Sequence, residues 1–329
     1  MMTHWERVRA ALKGEDVDRV PVSMWRHFYG QETSAESLAE AMLSFQNRFD
    51  WDIMKVNPRA SYHVEDWGVK IKSNGDAPPE VTRKPINTSN DWLELKVLDI
   101  NKGVLGEQLK SLEIIAKGLK GEVPFLMTVF TPISIASRLA TSAETFMSQL
   151  YEHTEKVHYA MDVIAETFTR FSKACLERGA AGLFYATTTW ATTDRFSEDE
   201  YGKLVRPFDL KLLRALPPAE FNALHVCSRN NLFNIMLDYP VQAFSWDPRA
   251  TGNPSLAEGK LLADGRAVIG GIAHNYGLVE SNPEILTAEV QGMQVAMGKT
   301  GWMLGPGCTF PPATPEANLQ AVRDAVEVR

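Results

Sequence analysis

Only three cysteines occur in the 329 residues, too few for a disulfide framework. A reducing cytoplasm is the expected compartment, and any cysteine that matters should act as a thiolate. Lysine and arginine number 34 against 41 aspartates and glutamates, a net charge of −7. No basic surplus exists to neutralise nucleic-acid phosphates. No uncharged apolar run approaches the roughly 18 residues of a membrane helix. Met1–Leu12 carries Glu6, Arg7 and Arg9 at helical spacing where a secretory leader would be apolar. With 22 glycines and 18 prolines the composition is ordinary, and neither an internal repeat nor a low-complexity linker is present. A glycine-rich phosphate turn is missing as well, because the first strand candidate runs into bulky Trp25-Arg26-His27-Phe28.

What is present is alternation. Short apolar strand candidates run Val20–Met24, Ile53–Val56, Phe125–Val129, Ala181–Tyr185, Asn222–Val226, Ala243–Trp246, Ala267–Gly271 and Gly301–Leu304. Helix-period stretches separate them at Ala35–Phe49, Gly106–Leu119, Ala143–Arg178, Glu198–Ala215, Asn231–Asp238, Ser255–Leu262 and Pro283–Gly298, and Pro315–Val328 closes the chain. Ser34, Ser197, Asn282 and Thr314 offer N-cap oxygens at helix starts. Eight strand–helix pairs are the pattern of a (β/α)8 TIM barrel, an α/β fold, here expected as one domain over residues 1–329. Asp66 to Leu98 stands out as an insertion after the second strand. Within it Val69-Lys70-Ile71-Lys72, Ser73-Asn74-Gly75-Asp76 and Glu80-Val81-Thr82-Arg83 read as a β-hairpin with a polar turn.

In this fold chemistry lies at the C-terminal strand ends. Read in turn, they hold Arg26, His27, Lys55, Asn57, Thr128, Tyr185, His225, Cys227, Asp247, His274 and Cys308. His225-Val226-Cys227 is the sharpest feature. Residues i and i+2 of an extended strand share a side, so an imidazole and a thiol converge as Zn2+ requires. Gly305-Pro306-Gly307-Cys308 adds a second thiol in a tight turn, and Asp247 adds a carboxylate from the strand beside His225. The expected metal set is His225, Cys227, Cys308 and Asp247. The bland alternative is that a cysteine is a small buried hydrophobe, and Cys175, inside a helical stretch, reads that way. His274 reads as a ligand, a proton shuttle or a loop residue. His63 is structural or lines the mouth, His153 and His158 are solvated, and His4 lies on the surface. Trp25, Phe28, Tyr29, Tyr185, Trp190 and Phe310 either make an apolar mouth or fill the barrel top as core.

The run Asp18-Arg19-Val20-Pro21-Val22 followed by Met24-Trp25-Arg26, the His225-x-Cys227 pair and the Gly305-Pro306-Gly307-Cys308 turn resemble the uroporphyrinogen decarboxylase superfamily, from about Thr3 to Val328. The resemblance implies a (β/α)8 barrel and one of two chemistries. One branch decarboxylates porphyrinogens for haem synthesis without metal or cofactor. The other holds cobalamin-dependent methyltransferases, such as the methylcobalamin:coenzyme M methyltransferases, which carry Zn2+ on a His-x-Cys pair and a distant Cys. Decarboxylases share an Arg-Gln-Ala-Gly-Arg stretch after strand one and a Phe-Ser-Asp stretch after strand two. Here Trp25-Arg26-His27-Phe28-Tyr29-Gly30 keeps one arginine, and Lys55-Val56-Asn57-Pro58-Arg59 has no aspartate. Asp52 precedes its strand and should face away from the mouth.

His225, Cys227 and Cys308 match the metal positions of the methyltransferase branch, and Asp247 falls where that branch supplies a displaceable carboxylate. The resemblance therefore implies a cytoplasmic, zinc-dependent methyltransferase. It would work with a methylcobalamin-type corrinoid on a partner corrinoid protein and a small-molecule methyl acceptor or donor, without nucleic-acid or membrane partners. In this reading Asp247, His274 and Tyr185 are catalytic, and Trp25, Arg26, His27, Lys55, Asn57 and Phe310 hold substrate or corrinoid. One rival is a porphyrinogen decarboxylase with Arg26 on propionates and His274 or Tyr185 as proton donor. The other is an idle barrel that binds a corrinoid or tetrapyrrole.

Overall fold

A computed structural model of the chain describes residues 1–327, so Val328 of the last expected helix lies outside the described residues. Among the described residues nine strands form: β1 (Met54–Val56), β2 (Lys70–Asn74), β3 (Ala77–Arg83), β4 (Phe125–Phe130), β5 (Gly182–Ala186), β6 (Ala223–His225), β7 (Ala243–Ser245), β8 (Ala267–Ile272) and β9 (Trp302–Pro306). Seven of them make one parallel sheet in the order β1-β4-β5-β6-β7-β8-β9, and β2 and β3 pair as a separate antiparallel hairpin. Parallel neighbours need a crossover, which helices provide except between β6 and β7, where the segment holds only a 3-10 turn.

The first expected strand, Val20–Met24, does not form; Val22 makes only an isolated parallel bridge to Leu304. Pro21 has no N–H to give a ladder. The segment nevertheless touches both edges of the sheet. On one side Ser23 N–H donates to Leu304 O (3.0 Å) and Leu304 N–H to Pro21 O (2.8 Å). On the other, Asp52 N–H donates to Val22 O at 2.9 Å and Ser23 Oγ to Ile53 O at 2.7 Å. The sheet is therefore curled, in a TIM-like α/β fold.

Alternation along the strands sorts side chains into two cores. Leu126, Phe184, Ala223, Ala243, Ala267, Ile269 and Met303 gather inside the curl with Trp25 and Ile53. Their neighbours Met127, Leu183, Tyr185, Leu224, Phe244, Val268 and Leu304 face the helices. The N-terminal helix His4–Lys13 joins the inner core through Val8, Ala10 and Ala11 and so closes one end of the curl. Its opening is secured by a capping box between Thr3 and Glu6.

Several helices depart from the sequence pattern. The stretch 143–178 breaks at His153 into Ala143–Glu152 and Thr154–Glu177. The stretch 198–215 breaks at Val205, just before Pro207, into Glu198–Leu204 and Arg206–Arg214. A proline ring there excludes the carbonyl four residues back. Only a 3-10 turn, Asn234–Met236, forms within Asn231–Asp238, and the last helix is Glu316–Ala325. Pro132–Leu139 is a helix the pattern missed. His4 is not a free surface residue, because its ring nitrogens meet Asp50 (3.1 Å) and Asp52 (3.0 Å). Nor is His158 solvated, since its Nε2 lies 3.0 Å from Leu204 O and its ring packs edge-on to Phe208. Among the described residues no helix is long and apolar enough to cross a membrane.

Candidate metal centre and cavity

His225 ends β6, Val226 is buried against the outer core, and Cys227 returns to the inner side. The backbone then turns sharply: Ser228 and Asn230 sit at φ 78° and 47°, the left-handed region that costs a non-glycine residue strain. Cys308 arrives from β9, its turn held by Gly307 N–H donating to Ile272 O at 2.8 Å. Gly307 is required here by space, since a Cβ would lie 2.8 Å from Asp247 Cγ. The result is close convergence. The two sulfurs lie 3.7 Å apart, and one donor atom each from His225, Cys227 and Cys308 falls within 4.8 Å of the others.

The imidazole is oriented for this task. Ser245 Oγ lies 3.1 Å from Nδ1, Phe184 stacks on the ring at 5.2 Å, and Nε2 is buried without a hydrogen-bond partner. A buried nitrogen lone pair facing two thiols fits a borderline-soft cation. Between the thiols the Cys227–Cys308 hydrogen bond breaks the symmetry: it holds Cys308 well below the usual thiol range and pushes Cys227 above it.

These donors open on a cavity of about 410 Å³. Trp25, His27, Lys55 and Asn57 line it, as expected from the sequence. Lys55 is fully buried. Its Nζ donates to Asn57 Oδ1 (3.1 Å) and lies 5.0 Å from the Phe184 ring and 5.9 Å from Trp25. Burial pushes its pKa down to about 7, against the pull of Cys308 and Cys227. Among the described lining residues there is no carboxylate.

Five expected site residues lie elsewhere. Tyr185 points outward, because Phe184 and Ala186 take the inner side of β5, and its hydroxyl donates to buried Asp209 at 3.3 Å. Phe310 is core, 1% exposed, since the chain has turned off the mouth and its N–H donates to Trp25 O. Arg26 is turned from the cavity, donating to Pro312 O at 2.7 Å over the Phe28 ring. Asp247 stands outside the three-donor group, its carboxylate packed on Gly307, accepting from Arg249 N–H (3.0 Å) and lying 3.6 Å from His274 Nδ1. His274 stays with Asp247, next to Cys308 but not on the cavity wall. Of the other aromatics, Tyr29 lines the cavity while Phe28 and Trp190 are core.

Two participants escaped the sequence reading. Arg138, from the missed helix, lines the cavity with no hydrogen bond or ion pair among the described residues. The pair Thr131-Pro132 directly after β4 was its signal, a cap followed by proline at the first helical position. Glu32 is buried and lies 3.0 Å from His27 Nδ1, while its other oxygen accepts from Ala60 N–H at 2.7 Å. No local pattern marks it.

The family model described as uroporphyrinogen decarboxylase (URO-D) matches residues 3–328. The chain belongs to the uroporphyrinogen decarboxylase family. A family relative from Methanosarcina acetivorans, named methylcobamide:CoM methyltransferase MtbA, is 25% identical over 96% of this chain and 95% of its own. A relative named uroporphyrinogen decarboxylase, from Hydrogenovibrio crunogenus, is 24% identical over 53% of this chain and 55% of its own. A solved methyltransferase from Methanosarcina mazei superposes with a TM-score of 0.84 at 23% identity, covering 99% of this chain and 98% of that one. The shared architecture of this family is thus present over the full described length.

Proposed function

We propose that this member of the uroporphyrinogen decarboxylase family is a zinc-dependent methyltransferase that moves a methyl group from a corrinoid, carried on a partner corrinoid protein, to a small thiol. The observation that carries the reading is the convergence of His225, Cys227 and Cys308, with sulfurs 3.7 Å apart. Support comes from the full-length relatives named methylcobamide:CoM methyltransferases. We take the chain as one domain, a (β/α)8 barrel whose first strand is reduced to the Val22 bridge and whose β2–β3 hairpin is an insertion, working in the cytoplasm.

The donor set suits Zn2+: two thiols, an oriented imidazole with Nε2 unpartnered, and a wall for a fourth ligand. When bound, the metal makes a coordinated thiol more acidic and keeps it a nucleophilic thiolate once its proton has left. The remaining work falls to the chain. Ser245 fixes the His225 ring. Gly307 allows Cys308 to approach. Trp25 and Phe184 present apolar faces that exclude water from the sulfurs. Arg138 and Lys55, in a cavity without acids, favour an acceptor carrying a negative group beyond its sulfur. Asp247, with its own partners, supports the Cys308 turn from below.

The decarboxylase reading has one relative behind it, over about half the chain. It meets the absence of any carboxylate among the described cavity-lining residues, while a porphyrinogen needs one to steady its pyrrole nitrogens. Metal analysis of purified protein decides between them. About one zinc per chain, lost in Cys227→Ser, together with methylation of coenzyme M by methylcobalamin supports methyl transfer. Conversion of uroporphyrinogen that survives chelators and Cys308→Ser overturns it.

A further inference from the structure

Methylation of a thiol releases a proton, and the cavity must have somewhere to put it. No carboxylate is found among the described lining residues, so the candidates are nitrogen bases. Lys55 already donates to Asn57 between two aromatic faces and has no relay partner. His274 Nδ1 lies 3.6 Å from Asp247 with no hydrogen bond to it, and the ring does not line the cavity. His27 differs from both. It lines the cavity, it stacks on Tyr29 (ring centroids 4.9 Å apart, planes 13° apart), and its Nδ1 lies 3.0 Å from Glu32 Oε2.

We infer that His27 is the proton acceptor of this cavity and that Glu32 is the residue that positions it. Resting on the methyl-transfer reading above, the assignment follows from hydrogen-bond logic. Glu32 is buried and its other oxygen is spent on Ala60 N–H, so the carboxylate is held in place. A carboxylate only accepts, which fixes the ring proton on Nδ1 and leaves the Nε2 lone pair as the ring's basic site. That nitrogen makes no hydrogen bond among the described residues. A base oriented by a third group is the arrangement that proton transfer to or from a bound substrate requires.

The balance is simple. The acceptor's S–H bond breaks, its electron pair stays on sulfur, and the proton goes to His27 Nε2. The imidazolium so formed is stabilised by Glu32. The sulfur pair then forms the new S–CH3 bond while the methyl–cobalt bond of the corrinoid breaks, leaving its electrons on cobalt. Other charged or titratable groups face this corner. Tyr29 feels the opposing charges of Glu32 and Arg138, buried His63 comes from the helix Tyr62–Glu65, and Arg138 comes from the helix Pro132–Leu139. His63 packs on Phe130 at 4.5 Å with both nitrogens buried and unpartnered, so it offers no exit path.

Glu32→Gln is the decisive variant. Its amide oxygen still accepts from Ala60 N–H, but its NH2 donates to His27 Nδ1 and moves the ring proton to Nε2, abolishing the base. Full-length zinc-loaded protein, methylcobalamin and coenzyme M would be followed in single turnovers between pH 6 and 10, with His27→Gln in parallel. At pH 7 both variants should be slower by about 10²-fold or more. The deficit should shrink as pH rises, closing once the metal-bound thiol ionises without help. A second readout needs no turnover: ring-nitrogen NMR of metal-free protein should place the His27 proton on Nδ1 in the parent and on Nε2 in Glu32→Gln. Unchanged rates at pH 7, a deficit independent of pH, or an Nε2–H ring in the parent would each overturn the proposal. A parent that methylates no thiol at any pH refutes the methyl-transfer reading and this proton path together. An active parent with pH-independent deficits refutes the proton path alone.

Discussion

The two ends of the curled sheet treat polar groups in opposite ways. At the end closed by the N-terminal helix, Asp52 is completely buried. It accepts from Arg7 Nη1 (2.6 Å), from Arg19 and from Val22 N–H (2.9 Å), with His4 Nδ1 at 3.0 Å. Asp18 adds a second clamp on Arg7. The guanidiniums of Arg7 and Arg19 both meet carboxylate acceptors there. At the other end buried Lys55 has one neutral partner and buried His225 Nε2 none, while exposed Arg138 meets no acceptor among the described residues. Left-handed non-glycine residues occur at both ends, Thr188, Ser228 and Asn230 after strands at the mouth and Asp50, Lys120 and Asp264 before strands at the other. A fold can leave polar groups unsatisfied where a ligand will complete them, provided another region supplies the stability.

That contrast is open to attack by mutation. The largest stability loss should come from Asp52→Asn, which leaves two buried guanidiniums undercompensated and should cost about 3–5 kcal/mol by denaturant titration. Cys227→Ser should behave oppositely. Its metal-free form should unfold within about 1 kcal/mol of the metal-free parent while failing to bind zinc. Equal destabilisation by the two would erase the distinction between the ends.

The same carboxylate sets an acid limit. Burial alone would raise its pKa, but hydrogen bonding with His4 and the charges of Arg19 and Arg7 outweigh it and hold Asp52 at about 2. The folded value lies below the unfolded one, so this stabilisation is complete above about pH 4 and fades as pH falls towards 2. It amounts to about 2 kcal/mol. In Asp52→Asn the acid slope of stability should flatten over that window.

At the mouth, Arg138→Gln should raise the KM for coenzyme M by roughly ten- to a hundredfold, the worth of a charge-assisted hydrogen bond, and leave 2-mercaptoethanol almost unaffected. Equal loss for both thiols would remove Arg138 from acceptor selection. The smallest effect is a gain. Lys55, with its folded pKa of about 7 beneath an unfolded value near 10.4, costs stability at neutral pH. Metal-free Lys55→Met should therefore melt a few degrees higher than the parent at pH 7, with the advantage shrinking as pH rises to 10.

How much of this could be read from the chain depends on what positions each side chain. His225 and Cys227 were legible because a two-residue period on a strand tip puts both on one side whatever the rest of the fold does. The direction of Tyr185 was not, because Phe184 and Tyr185 are both apolar-faced and the pattern cannot say which parity faces inward. Phe310 and Arg26 follow strand ends in sequence, yet the backbone leaves the mouth within two residues, so proximity to a tip misled. Val20–Met24 was placed correctly between the sheet edges but forms a bridge and not a strand, because Pro21 withholds a donor. Arg138 and Glu32 come from a helix and a loop, and only the assembled fold brings them to the cavity. The alternation of strands and helices fixed the architecture, while breaks at His153 and Val205 turned on local backbone geometry.

Gly307 shows where this protein is least tolerant of change. It ligates nothing, donates only a backbone N–H, and needs no unusual backbone angle, yet any side chain there meets Asp247 at 2.8 Å. In a random library selected for function, this position should therefore drop out alongside Cys227 and Cys308. Survivors carrying Ala or Ser at 307 should hold a second change at 247, so that two residues from the loops after β7 and β9 vary as one unit.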